Sequence, residues 1–504
     1  MALGISPYKK VIVPLNDYNP DDYLTLLYNA MLGLNWHISY FDHDGLIAYT
    51  NLSWESYAEE VSVRIQKNTA VIKSECVGYQ GFFTDYGKNA KNLELLFGEI
   101  EYTDFHLSDS LEQKTGELMR SIPENQFVTL AEPPMVGKET LRGFFDFLIP
   151  RKYYMVTPIL VIVNTVIYFM TTFFIALMWA FLRRGGKTKG TPLETIYLYV
   201  GFSGRSNVLH GQVWRLVTNT FLHFSFLHLA GNMIALIYIG AMIESKLGKW
   251  CFLALYLLTG ICASMASVIW RDAGISGGAS GAIFGLFGIL LALCSTKFYE
   301  ANAHKAILIS TAFFVGLNII PIGQGIDHAA HFGGLISGYI FGLIAYWALT
   351  HQTGVARWSI GLSFALTCAF VLVSVAITPD YKIKEFEALV KQADSTELHI
   401  QKCFYRHNEL SHQEKIDTIE QYGLPLIKQY QQYPVKYAAL PLPTRKRKEV
   451  EFRTKIIKLE CQVFQLVYRE SKEQDFEKYR PEMDSLTNNI NDVRMEWGHY
   501  LFGR

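Results

Sequence analysis

Seven apolar stretches, each long enough to cross the hydrocarbon core of a bilayer, follow one another through the middle of this 504-residue chain. They cover 154–182, 217–243, 250–270, 279–296, 305–321, 328–349 and 358–378, the fourth and fifth being short or broken by glycine. Charged residues bound them: Lys246 and Lys249, Arg271 and Asp272, Lys297 and Glu300, and Arg357. One such run could be the core helix of a soluble domain, but seven in series call for lipid as the solvent. Backbone groups in lipid must be satisfied internally, and runs of this length do so as helices. The expected fold is a polytopic α-helical membrane protein.

Polar blocks flank these spans. In residues 1–148, "PDDYLTLLYNAMLGL" has helical periodicity, while "WHISYFD", "GLIAYTN", "EVSVRIQ" and "TAVIKSECVG" alternate like strands separated by Asp-Gly and Asn-Thr turns. This reads as a soluble α+β domain, followed by a Pro-rich linker at "AEPPMVGKE". Residues 149–350 hold six spans, 351–379 one more, and 380–504 a soluble α-helical domain broken at "YPVKYAALPLPT". The first thirty residues have no apolar h-region, and their acidic pair argues against a transit peptide.

Composition narrows the chemistry. A formal net charge of +0 gives no footprint for nucleic acid, and Arg445–Lys448 reads as a solvated helix start. The seven cysteines form no CxxC or Cys/His cluster, so neither a metal site nor a disulfide framework is expected.

Seven spans put the two termini on opposite sides, and spans two, four and six all start from the face opposite the N-terminus. Span two carries His228 and Asn232, span four opens with Ser280, and span six opens with His331. These side chains therefore fall at similar depth, where polar groups are costly and mark function. Asn232 follows His228 by four residues, so both project from one helix face. Gly281, Gly285 and Gly288 on span four, and Gly334, Gly338 and Gly342 on span six, form stripes that let two backbones approach. A serine hydroxyl needs a base, which a neutral imidazole supplies. Attack on an amide creates an oxyanion, and Asn232, His228 and a backbone N–H at the start of span four are suitable donors.

"GGASGAIFG" resembles the GxSG motif of the rhomboid intramembrane serine proteases, "AHFGGLISG" their AHxxGxxxG motif, and "HLAGN" their HxxxN motif. "VWRLVTNTFLHFSFLHLAGN", with Trp214 and Arg215, is similar to the family's first loop leading into the second span. The resemblance covers about 150 to 350. It implies a six-helix core, a "6+1" arrangement with the seventh span, and cleavage of transmembrane protein substrates by a Ser–His dyad without metal or cofactor. Carried over, Ser280 is the nucleophile, His331 the base, His228 and Asn232 serve the oxyanion, and Gly278 is the leading glycine. The expected location is a bacterial cytoplasmic (inner) membrane, with the N-terminus in the cytoplasm and the C-terminal domain outside. Positive charges near the span ends do not decide that orientation, since "RRGGKTK" follows span one.

Some neighbours compete for roles. His328 lies three residues before His331, but only His331 follows alanine and precedes Gly334 at the family spacing. Asp327 invites a triad, against which a helix cap is the plainer role. His210, His223 and His304 read as loop or interface residues. Two other function classes stand beside the protease: a rhomboid-like pseudoprotease that binds membrane proteins without cutting, and a transporter. Both dyad members are present, and no inverted repeat is seen.

Overall fold

The computed structural model describes residues 7–53, 58–77, 84–123, 130, 146–184, 193–272, 274–296, 298, 304–305, 307–309, 311–312, 316, 326–350, 355–405, 411–475 and 477–502. The linker "AEPPMVGKE" and most of the expected fifth span, 305–321, lie outside them. The chain divides into two compact units, 1–377 and 378–504.

The first unit opens with strand β1 (Tyr8–Pro14), helix α1 (Pro20–Gly33) and strands β2 (His37–Asp42), β3 (Gly45–Tyr49), β4 (Glu59–Gln66) and β5 (Thr69–Cys76). Helices α2 (Lys88–Leu107) and α3 (Leu111–Arg120) follow. The sheet is antiparallel throughout, in the order β1-β5-β4-β3-β2. Helix α1 starts where its sequence says it should. Asn19 caps it, proline sits in the first turn, and Asp21 and Asp22 face the positive end of its dipole. Between β4 and β5 the turn residues are Lys67 and Asn68, because Gln66 pairs with Thr69 and Lys67 adopts a φ of 56°. Leu24, Leu27 and Met31 of α1, with Leu93 and Leu96 of α2, cover Leu46, Val61, Val63 and Ile72 of the sheet. The opposite sheet face is buried too. Tyr40, Ile47 and Tyr49 join the same continuous core as Tyr154 and Val156 at the first span.

Among the described residues five long apolar helices follow: α4 (Val156–Arg184), α8 (Phe226–Leu247), α9 (Lys249–Trp270), α11 (His328–Thr350) and α12 (Val355–Ile377), with the shorter α10 (Ser280–Cys294) between α9 and α11. Between α4 and α8 come the short helices α5 (Leu193–Tyr199), α6 (Arg205–Leu209) and α7 (Arg215–Thr218). The second span thus begins nine residues later than the apolar run suggests. The loop between includes the end of α7 and a short 3₁₀ turn at Asn219–Phe221, and Ser225 starts the next helix by accepting the His228 N–H at 3.2 Å. Arg215 holds that loop, donating to the carbonyls of Leu198 and Phe202.

Helices α10 and α11 run parallel in close contact. A side chain at Gly334 would strike the carbonyl of Gly281, and one at Gly338 that of Gly285. Gly288 is as tight against Leu335. Gly281 and Gly285 themselves point at Ala263 and Thr259 of α9, so the span-four stripe serves two neighbours.

Among the described residues the second unit has helices and no strand: α13 (Ile383–Tyr405), α14 (His412–Thr418), α15 (Leu424–Tyr430), α16 (Tyr433–Ala438), α17 (Thr444–Glu473) and α18 (Arg480–Phe502). Phe386, Ile400, Tyr430, Tyr433, Tyr437 and Phe464 form its core. "YPVKYA" is helix α16 and not a break, since proline in a first turn loses no intrahelical bond; the interruption is confined to 439–443. Arg445–Lys448 opens α17, where Lys446 pairs with Glu449 and Lys448 with Glu451. Buried Glu460 accepts from Tyr430 at 2.8 Å and Arg494 at 2.9 Å, and burial, then Glu397, pushes its carboxyl up to about 7.

Candidate active site

The turn before α10 is positioned by its neighbours. Strands β6 (Ser203–Gly204) and β7 (Ile275–Ser276) pair antiparallel, and the Gly278 N–H donates to the Asn219 carbonyl at 2.8 Å. Gly278 sits at φ +133°, where L side chains are strained, and a Cβ there would come within 2.7 Å of the His228 ring. The Asn232 amide nitrogen is 3.6 Å from the same point. His228 and Asn232 therefore converge on the backbone two residues ahead of Ser280. The buried amide nitrogen of Asn232 has no hydrogen-bond partner among the described residues.

Ser280 is the first residue of α10, so its hydroxyl stands at the helix start. His331 Nε2 lies 3.0 Å from Ser280 Oγ. Phe284, one turn after Ser280, stacks on the imidazole with ring centroids 4.1 Å apart and planes within 8°. His331 is buried and its Nδ1 has no partner among the described residues, so the stacked ring is what fixes the imidazole plane. His328 is exposed, with its ring 6.4 Å from that of His331.

Asp327 acts as a cap and a clamp. Its Oδ1 accepts the Ala330 N–H at 3.1 Å, while Oδ2 accepts from Ser267, from Ser276 at 2.7 Å and from Arg271 at 3.3 Å. One carboxylate thus ties the start of α11 to the end of α9 and to β7. Burial works against the charged form, but hydrogen bonds from Ser267, Ser276 and the Ala330 N–H, with the Arg271 charge, keep its carboxyl below the usual range.

Trp214 and Arg215 stack in the loop, with the guanidinium 4.4 Å from the ring centroid. Of two further neighbours of the dyad, Phe284 escapes the sequence reading and His223 reads there only as a loop or interface residue. His223 is buried and accepts the Ala279 N–H through Nε2 at 3.4 Å, bracing the turn from the loop side. Phe284 carried the one available signal, its four-residue spacing from Ser280. His223 carried none, because its partner is a backbone group 56 residues away. Among the described residues no cluster of three or more His, Cys, Asp or Glu could hold a metal.

A hydroxyl, an imidazole within hydrogen-bond reach and an unpartnered amide donor nearby have the makings of nucleophilic acyl transfer. Residues 210–348 match the Rhomboid domain. Over 141 residues the chain is 37% identical to RHOMBOID-like protein 1 of Arabidopsis thaliana, covering 28% of this chain and 36% of the relative. It is 37% identical to Rhomboid protease GluP of Bacillus subtilis over 182 residues, or 34% of this chain and 33% of GluP. It is 29% identical to Rhomboid protease AarA of Providencia stuartii over 214 residues, or 38% of this chain and 76% of AarA. The chain spans between a third and a half of the length of the RHOMBOID-like proteins 1, 5 and 7. With its apolar helices, the matched domain defines a polytopic helical membrane protein. Residues 210–348 are thus a rhomboid domain within a longer chain.

Proposed function

We propose that this protein is an intramembrane serine endopeptidase that hydrolyses peptide bonds in or near transmembrane helices of membrane-protein substrates. The observation that carries the reading is the 3.0 Å contact between His331 Nε2 and Ser280 Oγ at the start of a membrane helix. His331 takes the hydroxyl proton as Ser280 Oγ attacks the substrate carbonyl carbon. The oxyanion receives hydrogen bonds from Asn232, His228 and an N–H at the start of α10; the Ala279 N–H is already given to His223. The proton then passes to the leaving amine, and water releases the acyl group by the reverse sequence.

Residues 149–350 serve as the six-span catalytic core, 351–379 as the added span of a 6+1 arrangement, and 1–148 and 380–504 as soluble domains. The N-terminus lies in the cytoplasm and the site opens to the other side, since α8, α10 and α11 all begin there. A substrate must present extended backbone to Ser280, and helices holding Gly or Pro near their outer end unwind at least cost.

The test is cleavage of single-span reporters by protein reconstituted in liposomes, with product ends mapped by mass spectrometry. Cutting near the outer boundary is expected, abolished by Ser280→Ala and suppressed when helix breakers become leucine. Equal turnover by Ser280→Ala would remove the assignment, and binding without any cutting would make the chain a pseudoprotease.

A further inference from the structure

Ser280 and His331 sit at the open end of the glycine seam. The tight approaches, Gly334 on the Gly281 carbonyl and Gly338 on that of Gly285, lie further along both helices. One turn earlier the contact relaxes. A Cβ on Gly281 would lie 3.8 Å from the Ala330 side chain and carbonyl oxygen, an ordinary van der Waals distance. The seam therefore closes α10 and α11 beyond the dyad and does not fasten them on the side where both helices begin.

Asp327 fastens that side. It precedes His331 by four residues, and its carbonyl accepts the His331 N–H at 3.1 Å. Ser276 precedes Ser280 by the same interval, and its hydroxyl donates to Asp327 Oδ2 at 2.7 Å. One hydrogen bond thus joins the two approaches to the dyad. Arg271 doubles the link, donating to Asp327 Oδ2 at 3.3 Å and to the Ile275 carbonyl, next to Ser276, at 3.2 Å. The end of α9 is itself pinned, because Arg205 donates to the carbonyls of Val268 and Ile269 at 2.8 and 3.0 Å. Hydrogen bonds to a carboxylate outweigh neutral ones, and this side chain is 14% exposed, which leaves water little room to replace its donors. We infer that Asp327 is a positioning residue for the dyad: its carboxylate holds the turn before Ser280 against the first turn of α11, and so sets where His331 Nε2 stands relative to Ser280 Oγ. Its hydrogen bonds go to neither dyad side chain, which separates it from the acid of a triad. The inference rests on the proposed catalysis, and a displacement of about 1 Å at the reacting atoms sets the expected scale, on the order of a hundredfold.

Cleavage of a single-span reporter and hydrogen exchange of the full chain in detergent test it together. Asp327→Ala should lower kcat about a hundredfold and leave KM within about twofold. Asp327→Asn should recover most of that rate, since its amide oxygen still caps Ala330 and its nitrogen can donate to the Ser276 hydroxyl. Ser276→Ala keeps the cap and should lower kcat about tenfold; added to Asp327→Ala it should cost nothing more. In Asp327→Ala exchange should rise both in 274–282 and in 327–334, whereas a mere cap would loosen the second segment alone. Should Asp327→Ala not fold, Ser276→Ala decides by its kcat and by exchange in both segments. Wild-type kcat in Asp327→Ala and Ser276→Ala, additive losses in the double variant, or exchange confined to 327–334 would each overturn the assignment. A wild type that cuts no reporter would remove the proposed function, and the exchange pattern would still decide the clamp.

Discussion

Among the five long helices of the described residues, α4 and α12 carry the most apolar windows, yet only 17% of each window is buried, against 67% in α8 and α9. In a water-soluble protein the order would be reversed. Here Phe169, Phe173, Leu372 and Ile377 point outward, while the packed interior holds Gly281, Gly285, Gly334, Gly338, Thr259 and Ser264. The difference follows from the solvent. Lipid offers a leucine side chain as much as a protein core does, so hydropathy reports contact with lipid. Small residues report contact between helices, because only their absence of bulk lets backbones meet. The dyad sits in the second kind of region, and its short Ser–His distance depends on the glycine seam.

That contrast is broken most forcefully by Gly338→Leu. The first carbon of the new side chain would run into the Gly285 carbonyl, backbone that cannot rotate away. Destabilisation above about 3 kcal/mol is expected, beyond ordinary overpacking. Thermal unfolding in detergent should show it, together with loss of cleavage in whatever folds. Wild-type stability and turnover would mean that the seam does not set the distance between α10 and α11.

Asn232→Ala sharpens the same contrast at the seam's mouth. The variant removes a buried donor that has no partner among the described residues, so folding should be little affected while kcat falls about a hundredfold. Should unfolding temperature drop and kcat stay, Asn232 is a packing residue. The smallest effect belongs to the lipid-facing side. Leu372→Ala on α12, at a site 71% exposed, should change stability by less than about 0.5 kcal/mol. A loss of several kcal/mol there would show that α12 is covered by protein.

How far the sequence anticipates this arrangement tracks the range of the interactions. The long spans are legible because hydropathy is local: the runs 154–182 and 358–378 lie within a few residues of α4 and α12. The run from 217 misplaces the second helix, because "VTNTFLHF" is apolar enough to read as membrane while Arg215 and Asn219 hold it as loop. In the N-terminal domain, α1 and β2–β5 follow the periodicity, whereas β1 opens with two lysines and ends in proline and α2 has too thin an apolar face to stand out. The sequence reading pairs Ser280 with His331 by shared depth, and the helices bring them together. Which way Gly281 and Gly285 face, and that His223 holds the Ala279 N–H, depend on partners distant in sequence, which periodicity does not encode.

The central claim is that Ser280 is a nucleophile activated by His331 inside the membrane region. A fluorophosphonate probe applied to the full chain in detergent, with the adduct located by peptide mass spectrometry, addresses it without any substrate. A single adduct on Ser280 is predicted, absent in Ser280→Ala and reduced at least about a hundredfold in His331→Ala, since the hydroxyl then lacks its base. Labelling that persists in Ser280→Ala, or that proceeds at the wild-type rate in His331→Ala, would contradict the account.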